Sequence, residues 1–350
     1  MLNVSKKFSN FKIHTQYSIC EGAVKIDTLA EYCKKNKIKS IGICDSYNLC
    51  GAIEFAEKIS KSGTQPIIGT QINFKVNEIL GKLPLFATTK EGYKNLTKLS
   101  SKSYLEIDKM SDPHCNLKEL SSYNKDLILL SGNHHNLLGK LFKLNKLKEL
   151  ENALNFLKKT FENRLYIEIQ RHNEIGEKMY ENFLIDLSFK LKIPLIASQE
   201  VFYIDKEMFQ AHDALVCIGE KNIIDDPKRL KYSDQHYFKS QNELEELFKD
   251  IPEALENNYN FPYRFNFKPN TSLPILPSLN ITNNSVEDEL VLQAKSGLAN
   301  RIKNFILKKN QSLNEKEVTK KYQDRLRHEL NIIKTMDYSG YFLIVSDYIK

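Results

Sequence analysis

Ionisable and amide side chains follow several short apolar, β-branched segments of the sequence. Asn10, Lys12 and His14 alternate along NFKIH, so they share one face if this segment is a strand. Asp45, Ser46, Tyr47 and Asn48 follow SIGIC, and Gln71 follows PIIGT. His172 follows LYIEIQR, and Glu200 follows PLIASQ. Because strands of a β/α barrel end at one rim, where active sites lie, these segments predict a polar site wall.

Each of these side chains also has a purely structural interpretation. His14 could be a hydrogen-bonded histidine of the barrel wall rather than a site residue. Asp45 could cap the turn that follows its strand. We interpret His134 and His135, in the loop SGNHHN, as solvated loop residues, and His212, in the helix FQAHDALVCI, as a packing residue.

The elements that must position these side chains alternate between strands and helices from about residue 8 to 238. The strand candidates are FKIHTQ, SIGICD, PIIGTQINF, LPLFATT, LILLSG, RLYIEIQ and PLIASQEVFYI. Between them, DTLAEYCKKNK and GAIEFAEKISKSG predict amphipathic helices, with Asp27 capping the first and Gly63 ending the second. Strands in series, each followed by a helix or a loop, predict a barrel or a doubly wound sheet.

The pattern changes after Tyr237. Three pairs have the spacing of a helix N-terminal cap, and they are Ser240 with Glu243, Ser285 with Asp288, and Ser312 with Glu315. Between the first two pairs, FPYRFNFKPNTSLPILPSLN carries four prolines without periodicity and predicts an extended linker. The sequence ends within the apolar run SGYFLIVSDYIK, so we expect more protein to follow.

The composition is that of a globular protein. Of the 350 residues 41% are apolar, and no apolar run reaches the roughly 18 to 20 residues that span a membrane. The N-terminus lacks the apolar segment of a signal peptide, so we expect a cytoplasmic protein. The six cysteines include no C-x-x-C pair, which argues against a zinc knuckle and a disulfide framework. The net charge of +7 is compatible with phosphate-rich partners.

One long stretch, FKIHTQYSICEGAVKIDTLAEYCKKNKIKSIGICDSYNLCGAIEF, resembles the opening of the PHP domain of bacterial DNA polymerase III alpha subunits. The Tyr-Ser, Glu-Gly-Ala and Asn-Leu-x-Gly-Ala-x-Glu-Phe elements occur in order. The resemblance continues through PIIGTQINF, EGYKNLTKLSSKSYLE, LYIEIQRH, IPLIASQEVFYI, AHDALVCI and DDPKRLKYSDQHYFKSQNELEELFKDIPEALENN. It resumes in YQDRLRHELNIIKTMDYSGYFLIVSDYIK, which looks like the beginning of the polymerase palm.

This resemblance implies a distorted seven-stranded β/α barrel, the PHP domain, over residues 8–275, then a linker and the helical beginning of a polymerase palm over 276–350. It implies a DNA-directed DNA polymerase, a nucleotidyltransferase that uses Mg2+ and whose catalytic residues lie outside these 350 residues. The partners it implies are DNA, deoxynucleoside triphosphates and the proofreading exonuclease subunit. The sliding clamp and other replisome subunits would bind through regions beyond this segment, and no membrane partner is implied.

Metal-binding members of the PHP family hold up to three ions with His, Asp and Glu side chains, and this sequence departs from that set. The family's His-x-His-x-His strand reads Asn10, Lys12, His14. The other departures are Ser46 after Asp45 in place of Asp-His, Gln71 in place of glutamate, and Gln199, Glu200, Val201, Phe202 in place of Asn-Asp-x-His. The remnant cleft then comprises Lys12, His14, Asp45, Gln71, His172 and Glu200.

A lysine in this cleft opposes metal binding. An ammonium group offers no lone pair, and at about 4 Å and an effective dielectric near 20 it repels a cation by about 4 kcal/mol per unit charge. We therefore expect no metal cluster, with His14, Asp45 and His172 as candidates for a single weak ion. Our hypothesis is that the Lys12 ammonium takes the vacated position and pairs with Asp45 or Glu200.

Three functions compete at this point. The first is the N-terminal part of the polymerase alpha subunit, with a structural barrel that docks the exonuclease subunit. The second is a metal-dependent PHP phosphoesterase or 3′–5′ exonuclease, which requires the metal site that the substitutions disrupt. The third is a generic barrel that binds a small molecule, and the palm-like C-terminal segment argues against it.

Overall fold

The computed structural model describes residues 7–107, 110–272, 285–309 and 314–349. The chain divides into two compact units, of which the first ends at Thr271 and the second begins at Ser272. None of the helices in the described ranges is both long and apolar enough to cross a membrane.

A single mixed sheet forms the centre of the first unit. Its strands are β1 (Lys12–Ile13), β2 (Ser40–Ser46), β3 (Gln65–Val76), β4 (Ile79–Ala87), β5 (Cys115–Asn116), β6 (Leu127–Leu130), β7 (Leu165–Ile169), β8 (Leu195–Ala197) and β9 (Glu200–Val201). Their order is β8-β7-β6-β4-β3-β2-β1-β9, and β5 pairs with β3 beside this path. Only β4 runs antiparallel to its neighbours, β3 and β6.

The sheet is curled because two residues connect its opposite edges. β8 ends at Ala197 and β9 begins at Glu200, yet the two strands lie at the two ends of the strand order. Three peptide steps span at most about 11 Å, so the edges must approach each other as in a distorted barrel. The predicted α/β fold class is therefore confirmed. All seven predicted strand segments contribute, and the last of them is split into β8 and β9.

The chain passes from β3 to β4 through a two-residue turn in which Asn77 has φ 51°, which is one of the loops that the sequence pattern allowed between strands. One detail of the predicted pattern was wrong. Gln71 lies inside β3 and not after its end, although it pairs with Ser46, the last residue of β2. Gln71 therefore still reaches the level at which β2 ends.

Helices cover the outside of the sheet. They are α1 (Ile26–Asn36), α2 (Ala52–Lys61), α3 (Lys90–Leu105), α4 (Leu117–Ser122), α5 (Leu137–Lys143), α6 (Leu147–Phe161), α7 (Glu177–Leu191), α8 (Phe209–Gly219), α9 (Gln241–Phe248) and α10 (Pro252–Asn260). Gly63 follows α2 with φ 81°, as predicted for a residue that ends a helix. Asp27 does not cap α1, because the helix begins one residue earlier and Lys25 is its N-cap. The Asp27 carboxylate instead pairs with Lys58 at 2.5 Å.

An apolar layer fills one end of the barrel interior. Its members come from strands around the sheet and from the segment after α10, and they are Phe11, Cys44, Ile67, Phe86, Ile128, Leu130, Tyr166, Ile196, Phe261 and Phe265. Phe261 packs on Phe11 and Phe86, with ring centroids 4.4 and 5.6 Å away. The polar side chains further along the same strands therefore lie above a closed apolar floor.

The segment predicted as an extended linker is only partly so. Phe261–Arg264 forms a 3-10 helix, residues 265–272 have no regular structure, and residues 273–280 lie outside the described ranges. Ser240 and Glu243 form the predicted capping box of α9, with both reciprocal hydrogen bonds present. This confirms the predicted start of that helix.

The second unit consists of helices in its described part. They are α11 (Val286–Arg301), α12 (Leu307–Lys309), α13 (Glu315–Thr335) and α14 (Ser339–Ile349), with a π-helical segment, Ile302–Ile306, before α12. Ser285 caps α11 by accepting from the Asp288 N–H, as predicted. Ser312 lies outside the described residues, and the N-cap of α13 is Asn314.

Candidate functional site

Lys12 lies inside the barrel between two carboxylates. Its side chain is fully buried, and Nζ lies 3.3 Å from Glu168 Oε1 and 3.5 Å from Glu200 Oε1. Burial opposes the charge of the ammonium, but Glu168 and Glu200 outweigh it and raise the pKa of Lys12. The lysine therefore stays charged in a water-excluded interior.

The carboxylate of Glu200, on β9, accepts hydrogen bonds from several side chains around Lys12. Oε1 lies 2.9 Å from His14 Nε2 and accepts from Gln71 Nε2 at 2.5 Å, and Oε2 accepts from Asn133 Nδ2 at 2.6 Å. Burial by itself would raise the pKa of Glu200, but Lys12 and His14 hold it well below its usual range. The carboxylate is thus ionised and surrounded by donors.

Glu168, in the middle of β7, completes what we call the lysine cluster. Gln170 Nε2 donates to Glu168 Oε1 at 2.7 Å, and Ser198 Oγ donates to the same oxygen. Glu168 Oε2 accepts from Lys12 Nζ at 3.4 Å. The lysine cluster is defined by Lys12, His14, Gln71, Asn133, Glu168 and Glu200.

Asp45 lies apart from the lysine cluster. It shares its strand face with Ile43, which packs with apolar residues of α1 and α2 outside the barrel. Cys44, between them, points into the barrel. Its carboxylate accepts from the Thr15 N–H at 2.6 Å, the Thr15 hydroxyl at 2.7 Å and the Ser18 hydroxyl at 2.7 Å. Burial raises the pKa of Asp45 despite these bonds. Asp45 therefore fixes the loop after β1 and is not the partner of the lysine.

His172 also stays outside the lysine cluster, although it is buried nearby. Its ring stacks on His236, with centroids 3.9 Å apart and planes 4° apart, and Nε2 accepts from the Glu200 N–H at 3.3 Å. The Glu177 carboxylate accepts from the His172 N–H at 2.7 Å. Burial and the neighbouring His236 lower the pKa of His172 to about 4, so the ring is neutral at physiological pH.

The interpretation of His134 and His135 as solvated loop residues was wrong. His134 is only 3% exposed, and both rings lie against the carboxylate of Glu174 on the loop after β7. His236 reaches the same carboxylate from the segment before α9. His212, by contrast, packs against Phe202 as expected, and its Nε2 donates to the Glu21 carbonyl oxygen at 2.8 Å.

A cavity of about 390 Å3 opens beside the lysine cluster. Its lining includes Gln71, Asn133 and Glu200 from the cluster, and His135 from the neighbouring loop. Lys82 also lines the cavity and is paired with Glu21 at 2.5 Å. The cavity reaches Glu200 at the edge of the lysine cluster and His135 on the neighbouring loop, whereas Lys12 and Glu168 do not line it.

The residues of the lysine cluster do not fit a multi-metal site. The ammonium of Lys12 lies between the carboxylates of Glu168 and Glu200, where a metal ion would need the same oxygens. The amide groups of Gln71 and Asn133 donate to Glu200 and occupy lone pairs that a metal ion would need. Asn10, at the first position of the altered histidine strand, is buried, and its Oδ1 has no hydrogen-bond partner among the described residues.

Several residues of the site escaped the sequence analysis. Glu168 lies within the apolar run LYIEI. A charged side chain inside a buried apolar strand indicates that an oppositely charged or hydrogen-bonding group pairs with it. Asn133, Glu174 and His236 lie on loops that come together only in the fold. Nothing in their local sequence indicated this convergence.

Two family models match the chain. A PHP domain matches residues 10–172, and a bacterial DNA polymerase III alpha NTPase domain matches residues 288–350. A solved structure from Bifidobacterium adolescentis, described as a metal-dependent phosphoesterase, is 12% identical, with a TM-score of 0.36, 55% of this chain and 86% of that chain covered.

Curated relatives match nearly the whole chain. It is 35% identical over 346 residues to the DNA polymerase III subunit alpha of Rickettsia bellii. It is 34% identical over 352 residues to that of Caulobacter vibrioides and 32% identical over 352 residues to that of Vibrio cholerae. Each comparison covers 98% of this chain and 30% of the relative, so the chain spans under a third of the length of these relatives.

Proposed function

We propose that the chain is the N-terminal part of a replicative DNA polymerase catalytic subunit, because it matches the model of a PHP domain and, further on, that of a bacterial DNA polymerase III alpha NTPase domain. The reaction is template-directed DNA synthesis in the cytoplasm, with DNA and deoxynucleoside triphosphates as substrates. Its Mg2+ ions and paired carboxylates belong to the palm, outside these 350 residues. The proposed domain bounds are 8–275 for the PHP domain and 276–350 for the palm region.

Within this protein the PHP domain serves as a structural barrel without metal-dependent hydrolysis. The observation that carries this proposal is the fully buried ammonium of Lys12 between Glu168 and Glu200. A divalent cation at about 4 Å from that ammonium is repelled by about 8 kcal/mol, or more than about 10^5-fold in affinity. The lysine cluster therefore links β1, β7 and β9 in the place of a metal cluster.

The proposed partners follow from a barrel that is structural and a polymerase reaction that takes place in the palm. A polymerase whose barrel performs no hydrolysis requires proofreading by a separate chain, so the exonuclease subunit is the proposed partner of the PHP domain. The sliding clamp and other replisome subunits bind regions beyond this segment. Support for these partners comes from the resemblance to alpha subunits over 98% of the chain.

The test measures nuclease activity. The 350-residue chain is incubated with Mn2+ and a single-stranded primer, beside a Glu200→Gln variant and the exposed-site control Lys159→Met. We expect no nucleotide release above the Glu200→Gln background. Release that depends on Mn2+ and disappears only in Glu200→Gln would establish the exonuclease function instead.

Docking is tested separately by gel filtration with the purified exonuclease subunit. We expect the two chains to elute together at micromolar concentration. Separate elution of a folded chain would remove the docking role while leaving the assignment of the barrel as structural untouched.

A further inference from the structure

Three imidazole rings converge on the carboxylate of Glu174. His134 Nε2 and His135 Nε2 lie 3.0 and 2.6 Å from Glu174 Oε2, and His236 Nε2 lies 3.0 Å from Oε1. The groups come from the loop after β6, the loop after β7 and the segment before α9. We call these four residues the imidazole cluster.

The donor atoms have the identity and spacing of a cation site. The two Nε2 atoms and one carboxylate oxygen all lie within 4.8 Å of one another. Ligand atoms of a tetrahedral zinc site lie about 3.4 Å apart, given bonds of about 2.1 Å. Separations of 2.6 and 3.0 Å therefore require only small outward movements to admit an ion. Imidazole and carboxylate together suit Zn2+, Co2+ or Ni2+ better than Mg2+.

His236 holds the second oxygen of Glu174 in place. Its Nε2 donates to Glu174 Oε1 at 3.0 Å, and its ring is held by stacking on His172, with centroids 3.9 Å apart. Groups that orient metal ligands in this way commonly contribute tenfold or more to affinity. Glu174 Oε2 is left to face His134 and His135.

Access and charge also suit an ion. His135 is about one third exposed and lines the 390 Å3 cavity, which leaves a route in and a free coordination position. The side chain of Glu174 is only 8% exposed, so it supplies a carboxylate that is shielded from bulk solvent. Lys143, whose Nζ lies 3.5 Å from His135 Nδ1, is the competing charge, and its exposed side chain can turn into solvent.

We propose that His134, His135 and Glu174 bind one divalent cation of the zinc class, with His236 as a positioning residue. This site is separate from the lysine cluster and shares no side chain with it. It goes beyond the proposed scaffold role, since it gives the barrel a single ion at a place where the altered histidine strand contributes nothing.

The experiment titrates the metal-free 350-residue chain with Zn2+ against a chromophoric chelator, and with Co2+ followed by its visible absorption. We expect one equivalent per chain and a Co2+ spectrum typical of nitrogen and oxygen ligands. His135→Ala and Glu174→Gln should each weaken binding at least about tenfold, and His236→Asn by about ten- to a hundredfold. His328→Ala, exposed on α13, is the matched control and should bind as the wild type does.

Folding is checked without metal by thermal unfolding, and Zn2+ should raise the Tm of the wild type but not of His135→Ala. His135→Gln is the milder replacement if the alanine variant does not fold. The proposal is overturned if the wild type binds no Zn2+, or if binding survives in both His135→Ala and Glu174→Gln. An ion lost in Glu168→Gln but kept in His135→Ala would lie in the lysine cluster, and would overturn the structural role of that cluster too.

Discussion

Replacing Lys12 with methionine removes one charge from the lysine cluster while keeping a side chain of similar length. Glu168 and Glu200, whose side chains are 0% and 5% exposed, are then left without the ammonium that is 3.3 and 3.5 Å from them. Removing one partner of a buried ion pair costs about 3–5 kcal/mol, chiefly because the remaining charge is uncompensated. We expect Lys12→Met to lower the free energy of unfolding by this amount at pH 7.5.

The loss should shrink as the pH falls. In the wild type the depressed pKa of Glu200 gives stability that is present above about pH 4.3 and is lost only as pH falls through the folded-state value. In Lys12→Met, burial is no longer opposed by the lysine, so the folded-state pKa of Glu200 rises. Each unit by which it exceeds the unfolded value costs about 1.4 kcal/mol above the folded pKa, and that cost shrinks as the pH falls from the folded pKa to the unfolded value of about 4.3.

Urea unfolding followed by far-UV circular dichroism at pH 7.5, 6 and 5 measures both effects. Lys159→Met, at an exposed position of α6, is the control and should change stability by less than about 0.5 kcal/mol. Lys12→Met combined with Glu168→Gln should recover part of the loss. A cost below about 1 kcal/mol at pH 7.5, or one that does not change with pH, would refute the assignment of a compensated buried charge.

Substitutions at three further positions test other parts of the domain. His172→Gln should flatten the pH dependence of stability between about pH 6.5 and 4. The lowered pKa of His172 contributes stability that the wild type loses over this window as pH falls, about 3 kcal/mol at most. A series of unfolding measurements over this pH range measures the difference. Asp45→Ala should cost about 1–3 kcal/mol by leaving the Thr15 and Ser18 donors unpaired, and an unchanged Tm would contradict this. Ser240→Ala should cost about 1 kcal/mol and Ser240→Gly only a few tenths, by urea unfolding, since Ser240 caps α9.

Much of the fold followed from local patterns. The seven apolar segments became strands because β-branched runs between turn residues favour extended backbone. The capping box at Ser240 formed as predicted, because it depends on residues only three positions apart. The antiparallel direction of β4 was not predicted, since LPLFATT does not reveal the direction in which a strand runs.

The site was predicted in part. His14, Gln71 and Glu200 were identified from strand positions and lie together around Lys12. We predicted that Asp45 lies with them because it follows a buried apolar run. Its position in β2 instead directs its side chain to the opposite face of the sheet. That difference depends on which residue of β2 faces inward, and the polar run after SIGIC did not indicate it.

The sequence by itself determined that a lysine stands in the altered histidine strand and that nearly the whole chain resembles alpha subunits. Only the tertiary structure decided the partners of that lysine. Glu168 is 156 residues away along the chain, and it meets Lys12 because the curled sheet brings β7 and β1 to opposite walls of one interior. The convergence of His134, His135 and His236 on Glu174 has the same cause, since contacts between distant loops are set by strand order and curvature and not by local pattern.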